Sequence, residues 1–286
     1  MTVVTGCACW TSLSAAPERP DIETVLTHVG ERVAEYYRRA QTVVGVERST
    51  VQPIGWSWTA EGLARTVESD VRVEYAADDG GRPEPSIIRT VRRINGRQPN
   101  ERDKTDRSGC TDPGTPSPEP LAFLLLSHRE EFRFTSISSG KEQGRAALII
   151  DFRSANRTGK PELLEDPRGH ADCFDWSGPI AARGRVWVDT NTYDVLRVDR
   201  HNVGPVDVRV PWKLQRRYQL QPWILVERDD LTLRYKPVSF SDPEEVIVLP
   251  ESLVALTMVR SGLQSIRRTD TFRDYRRFLT TSRMVK

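Results

Sequence analysis

The sequence predicts a mainly β (α+β) fold: an unclosed antiparallel β-barrel or strongly curved sheet, with an N-terminal helix and a short apolar helix on its concave face. Three observations carry this. Apolar residues recur at three- and four-residue spacing in an early segment, from Ile22 to Ala40, and few other long helical patterns follow. From Thr42 onward the apolar period falls to two, in segments parted by Gly, Pro, Asn and Asp. One short run, Leu121 to Leu126, is apolar nearly all round, so it has to be covered on more than one side.

The helix stripe is Ile22, Val25, Leu26, Val29, Val33, Tyr36, Tyr37 and Ala40, with Asp21 after Pro20 as its N-cap. A first strand begins at Val44 and Val46 and runs towards Gln52. The second alternates, with Val67, Val71, Val73 and Tyr75 on one side and Glu68, Asp70, Arg72 and Glu74 on the other. Asp78 to Gly81 turns the chain, Ile87 to Ile94 is a third strand, and Asn95-Gly96 ends it. Residues 97–120 form a long polar loop with a short helix, and Pro120 opens the Leu-rich helix. Strands follow at Glu131 to Ser138 and Arg145 to Phe152, then a second long polar loop at 154–178. The best-defined hairpin is Gly184 to Asp189, the turn Thr190, Asn191, Thr192, and Tyr193 to Arg200. Further strands are expected at Trp223 to Arg228, Leu231 to Phe240, Val246 to Leu249, Leu253 to Arg260 and Ile266 to Leu279. The alternation slips near Pro237, which a bulge or an edge position accommodates.

Composition narrows the class of function. Of 286 residues, 37% are hydrophobic and 29% charged, as in ordinary globular chains, and no apolar run reaches the length of a membrane-spanning helix. With 42 Lys and Arg against 40 Asp and Glu the net charge is only +2, and the basic residues are dispersed, which argues against nucleic acid as a partner. Met1 to Ala16 is uncharged, small and apolar, and is followed by Pro17, Glu18, Arg19 and Pro20. This pattern reads as the end of a signal peptide, with cleavage after Ala15 or Ala16, and implies an exported chain. Residues 1–20 are thus a leader or disordered N-terminus, and 21–286 a single β-rich domain. Val4-Thr5-Gly6-Cys7 offers the alternative of lipidation at Cys7. Removal of Cys7 and Cys9 with the leader leaves Cys110 and Cys173, one in each long loop, and a disulfide between them is expected. Free thiols and zinc are the alternatives, although neither cysteine has a second thiol two to four residues away and His170 adds a single further ligand.

Catalytic chemistry finds little raw material. His28, His128, His170 and His201 stand in no metalloprotease, nucleophile-elbow or phosphate-loop pattern, and neighbouring carboxylates such as Glu130-Glu131 and Glu244-Glu245 read as solvated. The sequence therefore points to a non-catalytic protein with no cofactor and no metal. The basic and aromatic stretch Arg267 to Arg277, with Phe272 and Tyr275, reads as the wet face of a strand.

The order of features, together with the hairpin Gly184-Arg185-Val186-Trp187-Val188-Asp189 followed by Asn191, Thr192, Tyr193, Val195, Leu196 and Arg197, resembles the lipoprotein-carrier superfamily of LolA and LolB, RseB-like periplasmic sensors included. The ending Tyr275-Arg276-Arg277-Phe278 is similar to that of further exported bacterial proteins of this type. The resemblance covers most of residues 21–286, and the two cysteine-bearing loops depart from the small carriers. It implies a half-barrel whose apolar hollow, roofed by helices, accepts acyl chains in the periplasm or at the outer membrane. Leu121, Leu124, Leu125, Phe132, Phe134, Ile149, Val186 and Val188 would line that hollow. The implied partner is a lipid or lipidated protein. The alternative is an envelope protein-interaction or sensor module with a packed core and no lipid.

Overall fold

A computed structural model describes residues 21–77, 83–100, 117–118, 120–155, 160–165, 174–178, 180–260 and 262–278. The leader with Cys7, the turn at Asp78 to Gly81, and both Cys110 and Cys173 lie outside the described residues, as does His170.

Helix α1 spans Ile22–Ala40. The Asp21 carboxylate accepts from the Thr24 N–H at 2.9 Å, Glu23 lies in the first turn, and Arg38 and Arg39 lie in the last, so both ends suit the helix dipole. Its buried face is Val25, Leu26, Val29, Gly30, Val33, Tyr37 and Ala40. Gly30 weakens a helix interior, but a Cβ there would stand 3.1 Å from the Leu124 carbonyl oxygen and 3.3 Å from Leu126 Cγ. The glycine is what allows the Leu-rich segment to cross α1 closely.

The strands are β1 (Val43–Ile54), β2 (Arg65–Ala77), β3 (Pro83–Ile94), β4 (Ser117–Pro118), β5 (Phe132–Glu142), β6 (Arg145–Ser154), β7 (Glu162–Glu165), β8 (Phe174–Ser177), β9 (Ala182–Asp189), β10 (Val195–Asn202), β11 (Val206–Arg209), β12 (Trp223–Ser241), β13 (Glu244–Arg260) and β14 (Ser265–Arg277). A second helix, α2, spans Trp212–Tyr218. The sheet runs β4-β3-β2-β1-β14-β13-β12-β10-β9-β6-β5, and its two outer strands do not meet, so it is unclosed. Strand β12 is long enough to take two neighbours on one edge: Leu231 to Arg234 pair with β10, and Trp223 to Val226 pair with β11. Strand β11 also makes a parallel contact with β7, and β7 pairs with β8.

Apolar side chains collect in three places. The largest cluster joins the α1 stripe, Leu121, Leu124 and Leu125 to sheet residues Ile150, Phe152, Val186, Val188, Val198, Leu233 and Tyr235. A second contains Leu163, Val208, Val210, Leu214, Ile224 and Val226 at the other end of β12. A third, Ala40, Val43, Ile247 and Leu249, sits beside the C-terminal end of α1.

The structure corrects several expectations. The Leu-rich helix is a single 3₁₀ turn, Ala122–Leu124, and Leu126 is half exposed; six residues are too few to sustain an α-helix without a partner for each turn. The loop 154–178 contains β7 and β8, whose four-residue lengths carry no readable alternation. The two strands expected at Trp223 to Phe240 are one, and so are the two at Val246 to Arg260. The slip near Pro237 is an irregularity at Arg234/Tyr235 opposite Pro250, and Pro237 lies beyond the pairing with β10, at an edge of β12.

The β9–β10 hairpin shows why its motif residues are what they are. A Cβ on Gly184 would lie 1.9 Å from the Asp199 carbonyl oxygen and 2.7 Å from Phe152 Cζ, so only glycine lets that ring lie across the strand. Asp189 ends β9, where its carboxylate accepts from the N–H groups of Asn191 at 2.9 Å and Thr192 at 3.0 Å and meets Arg145 at 2.8 Å. Burial pushes the Asp189 carboxyl up, but the two backbone donors and Arg145 outweigh it and hold the group below the ordinary carboxylate range. Since the folded value lies below the unfolded one, this carboxylate stabilises the fold above about pH 4, and the contribution is lost as pH falls through the folded value.

Asp189→Asn is expected to lower stability by about 1–2 kcal/mol near neutral pH, and by less in acid, in urea denaturation at both conditions. An equal loss in acid would show that the charge has no part in it. Gly184→Ala is expected to cost about 3 kcal/mol or more because its clash is with backbone, read from the urea midpoint; an unchanged midpoint would contradict the packing of Phe152 across this position.

Candidate functional site

Five of the eight residues expected to line a hollow are core. Val186 and Val188 are fully buried, Leu121, Leu124 and Leu125 nearly so, and all five pack in the cluster beneath α1. Phe132 and Phe134 are half-buried at its rim, where Phe123 lies 5.2 Å from the Phe132 ring and 4.7 Å from Phe152. Ile149 is on the other face of β6, across from Trp187 and over Gly140, while Leu148, Ile150 and Phe152 face the helix. That strand is apolar on both sides, so its parity was not readable. A recess of about 40 Å³ lies among Tyr36, Ala40, Val43, Leu249, Phe272 and Tyr275. It has room for about one water molecule and none for an acyl chain.

Open volume occurs at the opposite end of the sheet. A groove of about 750 Å³ runs where β1 ends, β13 ends and β14 begins, with the β8 side chains Phe174 and Trp176 as its far wall. Ile54, Trp56, Met258, Val259, Leu263 and Ile266 supply most of its apolar surface, and Thr257, Arg260, Ser265, Gln264 and Glu61 its polar points. Val259, Leu263, Phe174 and Trp176 also pack on the second buried cluster, so the groove is continuous with a formed core. Gln264 ties the floor by donating from Nε2 to the Ile54 carbonyl at 3.2 Å. A shallower opening of about 590 Å³ lies beside β5, lined by Leu26, Leu126, Phe132 and Phe134 together with Glu23, Arg129, Glu130 and Arg133.

Buried charges separate the helix-covered core from the groove. On β1, Glu47, Ser49 and Val51 share a face, as do Asp270, Arg268 and Ile266 on β14. Val51 pairs with Arg268, and both Val51 and Ile266 line the groove. Arg89 grips Glu47 with two bonds, 2.6 and 2.9 Å, and Arg268 reaches Asp270 at 2.8 Å and Glu47 at 3.4 Å. Glu47 and Asp270 are almost wholly buried. Burial raises the Asp270 carboxyl above its ordinary value, against the pull of Arg268, and Glu47 raises it further. Burial and Glu47 together push the Tyr275 hydroxyl well up. Arg268 stays charged, because Asp270 and Glu47 outweigh its desolvation.

These groups bind each other, and their arrangement has the form of a structural partition. The described histidines are similarly occupied: His28 stacks on Tyr193 at 4.9 Å, His128 contacts Glu131 at 3.2 Å, and His201 contacts Asp230 at 2.9 Å. Among the described residues no three His, Cys, Asp or Glu side chains are grouped as a metal site. Arg89→Met is expected to cost about 3–5 kcal/mol in urea denaturation, since it strips Glu47 of its bidentate partner, and the Glu47→Gln/Arg89→Met double change should recover part of that loss. A double variant no more stable than the single one would show that the pair is not coupled.

No family model matches the sequence, and neither does any curated protein. Three bacterial proteins are among the solved structures similar to the chain. One is a lipoprotein-sorting protein domain from Vibrio parahaemolyticus, at 11% identity and a TM-score of 0.39, covering 92% of this chain and 96% of that one. Another, a LolA superfamily protein from Nitrosomonas europaea, is 8% identical, with a TM-score of 0.37 and coverage of 91% and 97%. The third is a DUF1329 family protein from Desulfovibrio piger, 10% identical, with a TM-score of 0.41 and coverage of 91% and 95%. With TM-scores below 0.5, none of these likenesses assigns a role to a residue of this chain. The groove was not expected from the sequence, because its lining comes from strand ends and loops far apart in the chain. One signal did stand in the sequence: Trp56, Trp58, Trp176, Trp212 and Trp223 all fall in polar or turn-rich stretches.

Proposed function

We propose that this chain is a non-catalytic binding protein of the bacterial envelope that takes a hydrophobic chain, such as a lipid acyl group, in the groove between the β1/β13/β14 ends and β8. The observation that carries this is the groove itself. Its volume of about 750 Å³ lies within the roughly 300–1,000 Å³ of ordinary ligand sites, and its lining is chiefly apolar with a few polar points. Each buried CH₂ contributes about 0.8 kcal/mol, so a chain of a dozen carbons brings about 10 kcal/mol before ordering costs, enough for micromolar binding after them. The leader pattern and the hairpin resemblance support an exported, periplasmic or outer-membrane-associated setting.

The packed hollow beneath α1 favours a second reading, an envelope protein-interaction or sensor module without a lipid ligand. The two are separated by titrating the purified protein with a fluorescent fatty acid. Saturable binding is expected, weakened about tenfold or more by Ile266→Asp or Leu263→Asp and unchanged by Phe134→Asp at the other opening. Absence of saturable binding, or binding indifferent to both groove substitutions, would leave the interaction module as the reading.

A further inference from the structure

Of the six tryptophans among the described residues, five lie at the groove end of the sheet. Trp56 and Trp58 stand on the β1–β2 loop, Trp223 opens β12, Trp212 opens α2, and Trp176 is in the groove wall. Register brings them together: Ile54 pairs with Ser265, Arg260 with Leu225, and Trp223 with Arg209, the residue that precedes Val210-Pro211-Trp212. Trp56 is 79% exposed, Trp212 69%, Leu63 on the same loop 93%, and Trp58 and Trp223 each 43%. The loop that presents two of these indoles is ordered by backbone bonds from Gly55 N–H to Thr59, Trp58 N–H to Gly55 and Glu61 N–H to Pro53, at 2.9–3.0 Å. The indoles are therefore held out by structure.

Cations stand among them. Arg260 lies over Trp56 at 3.6 Å, Arg228 over Trp58 at 5.0 Å and Lys160 over Trp223 at 5.6 Å. Helix α2 carries Lys213, Arg216 and Arg217 and no acidic residue. Arg217, Arg228 and Arg260 are paired with Glu165, Asp230 and Glu227, whereas exposed Lys213 and Arg216 have no acidic partner among the described residues. Protruding indoles with interleaved cations match the headgroup layer of a bilayer, where the rings rest at the interface and the cations meet phosphate.

We propose that this end of the sheet docks on an anionic lipid bilayer, with Trp56, Trp58, Trp212 and Trp223 at the interface and Lys213 and Arg216 facing the lipid phosphates. The mouth of the groove then opens onto the membrane surface. Trp56 belongs to both surfaces, but Trp58, Trp212, Trp223, Lys213 and Arg216 lie outside the groove lining, so the docking reading is testable separately from the acyl-binding reading.

The test is co-sedimentation of the full chain with vesicles of phosphatidylcholine, with and without a quarter of phosphatidylglycerol, together with intrinsic tryptophan fluorescence. Binding is expected on the anionic vesicles, with a blue shift, weakened by salt and by omission of the anionic lipid. Lys213→Glu/Arg216→Glu should weaken it about 25-fold or more, given roughly a fivefold contribution per cation near the surface. Trp58→Ser/Trp212→Ser, both outside the groove lining, should diminish the blue shift, and urea midpoints near wild type would confirm that both variants fold. Ile266→Asp should lose fatty-acid binding and keep vesicle binding, so failure of one reading is distinguishable from failure of the other. Vesicle binding that is absent, or equal in wild type and both variants, overturns the proposal. Self-association in solution that these variants abolish, without vesicle binding, also overturns it and assigns the surface to a second copy of the chain.

Discussion

The contact between the stripe of α1 and the apolar face of the sheet governs the rest of the structure. A sheet with apolar side chains on alternate positions cannot leave that face in water, and α1 supplies the cover through Val25, Leu26, Val29, Val33 and Tyr37. At about 1.5–3 kcal/mol for each fully buried side chain, those five residues account for on the order of 10 kcal/mol, as much as the whole net stability of a typical domain. Polar ties set where the helix lies. Arg32 binds Asp194 in the β9–β10 turn at 2.6 Å, and Arg39 binds Glu245 at the β12–β13 turn at 2.6 Å. A helix held by that much burial and pinned at two turns is a constituent of the core, which is why the space beneath it is filled.

Where α1 stops, the sheet changes character. Glu47, Arg89, Arg268 and Asp270 occupy positions that would otherwise extend the apolar face towards the groove. Charges in such a place recover their desolvation only through close pairing, and the two carboxylates and two guanidinium groups provide it for each other. The core under α1 and the cluster around Ile224 and Val226 are separate. The second cluster is covered instead by the short β7–β8 pair and by Leu214 of α2, and this smaller cover leaves the groove beside Trp176 open.

How legible all this was depends on how local its causes are. The α1 stripe, the long strands and the β9–β10 hairpin were readable because each repeats its own period over eight residues or more, and the Asp189 turn is closed by donors two and three residues away. Ile149 was misplaced because Leu148, Ile149 and Ile150 are all apolar, which erases the period. Strands β7, β8 and β11 have four residues each, and helix α2 has seven, so they exist by virtue of their neighbours: Val208 and Leu163 are buried against β12 and α2, not by any pattern of their own. The groove is the least legible feature, since Ile54, Trp176, Leu263 and Ile266 become neighbours only through the register of the sheet. Exposed tryptophan in turn-rich stretches was the trace it left in the sequence.

A single irregularity joins the two halves. Strand β12 serves both clusters, yet Leu233 and Tyr235 are odd-numbered while Ile224 and Val226 are even, which in a regular strand would put them on opposite faces. The register shift between Val226 and Arg228 inserts Glu227 as an extra residue and restores a common face. Such a bulge leaves backbone groups to be satisfied, and buried Asn202 does so: its amide donates to the carbonyls of Gly204 at 2.7 Å and Glu227 at 3.2 Å, while its oxygen accepts from the Asp229 N–H at 3.0 Å. The same bulge aims the Glu227 side chain at Arg260, 2.7 Å away, and Arg260 in turn lies against the Trp56 ring. The residue that keeps both clusters on one side of the sheet is therefore also the one that positions the most exposed of the described indoles at the mouth of the groove.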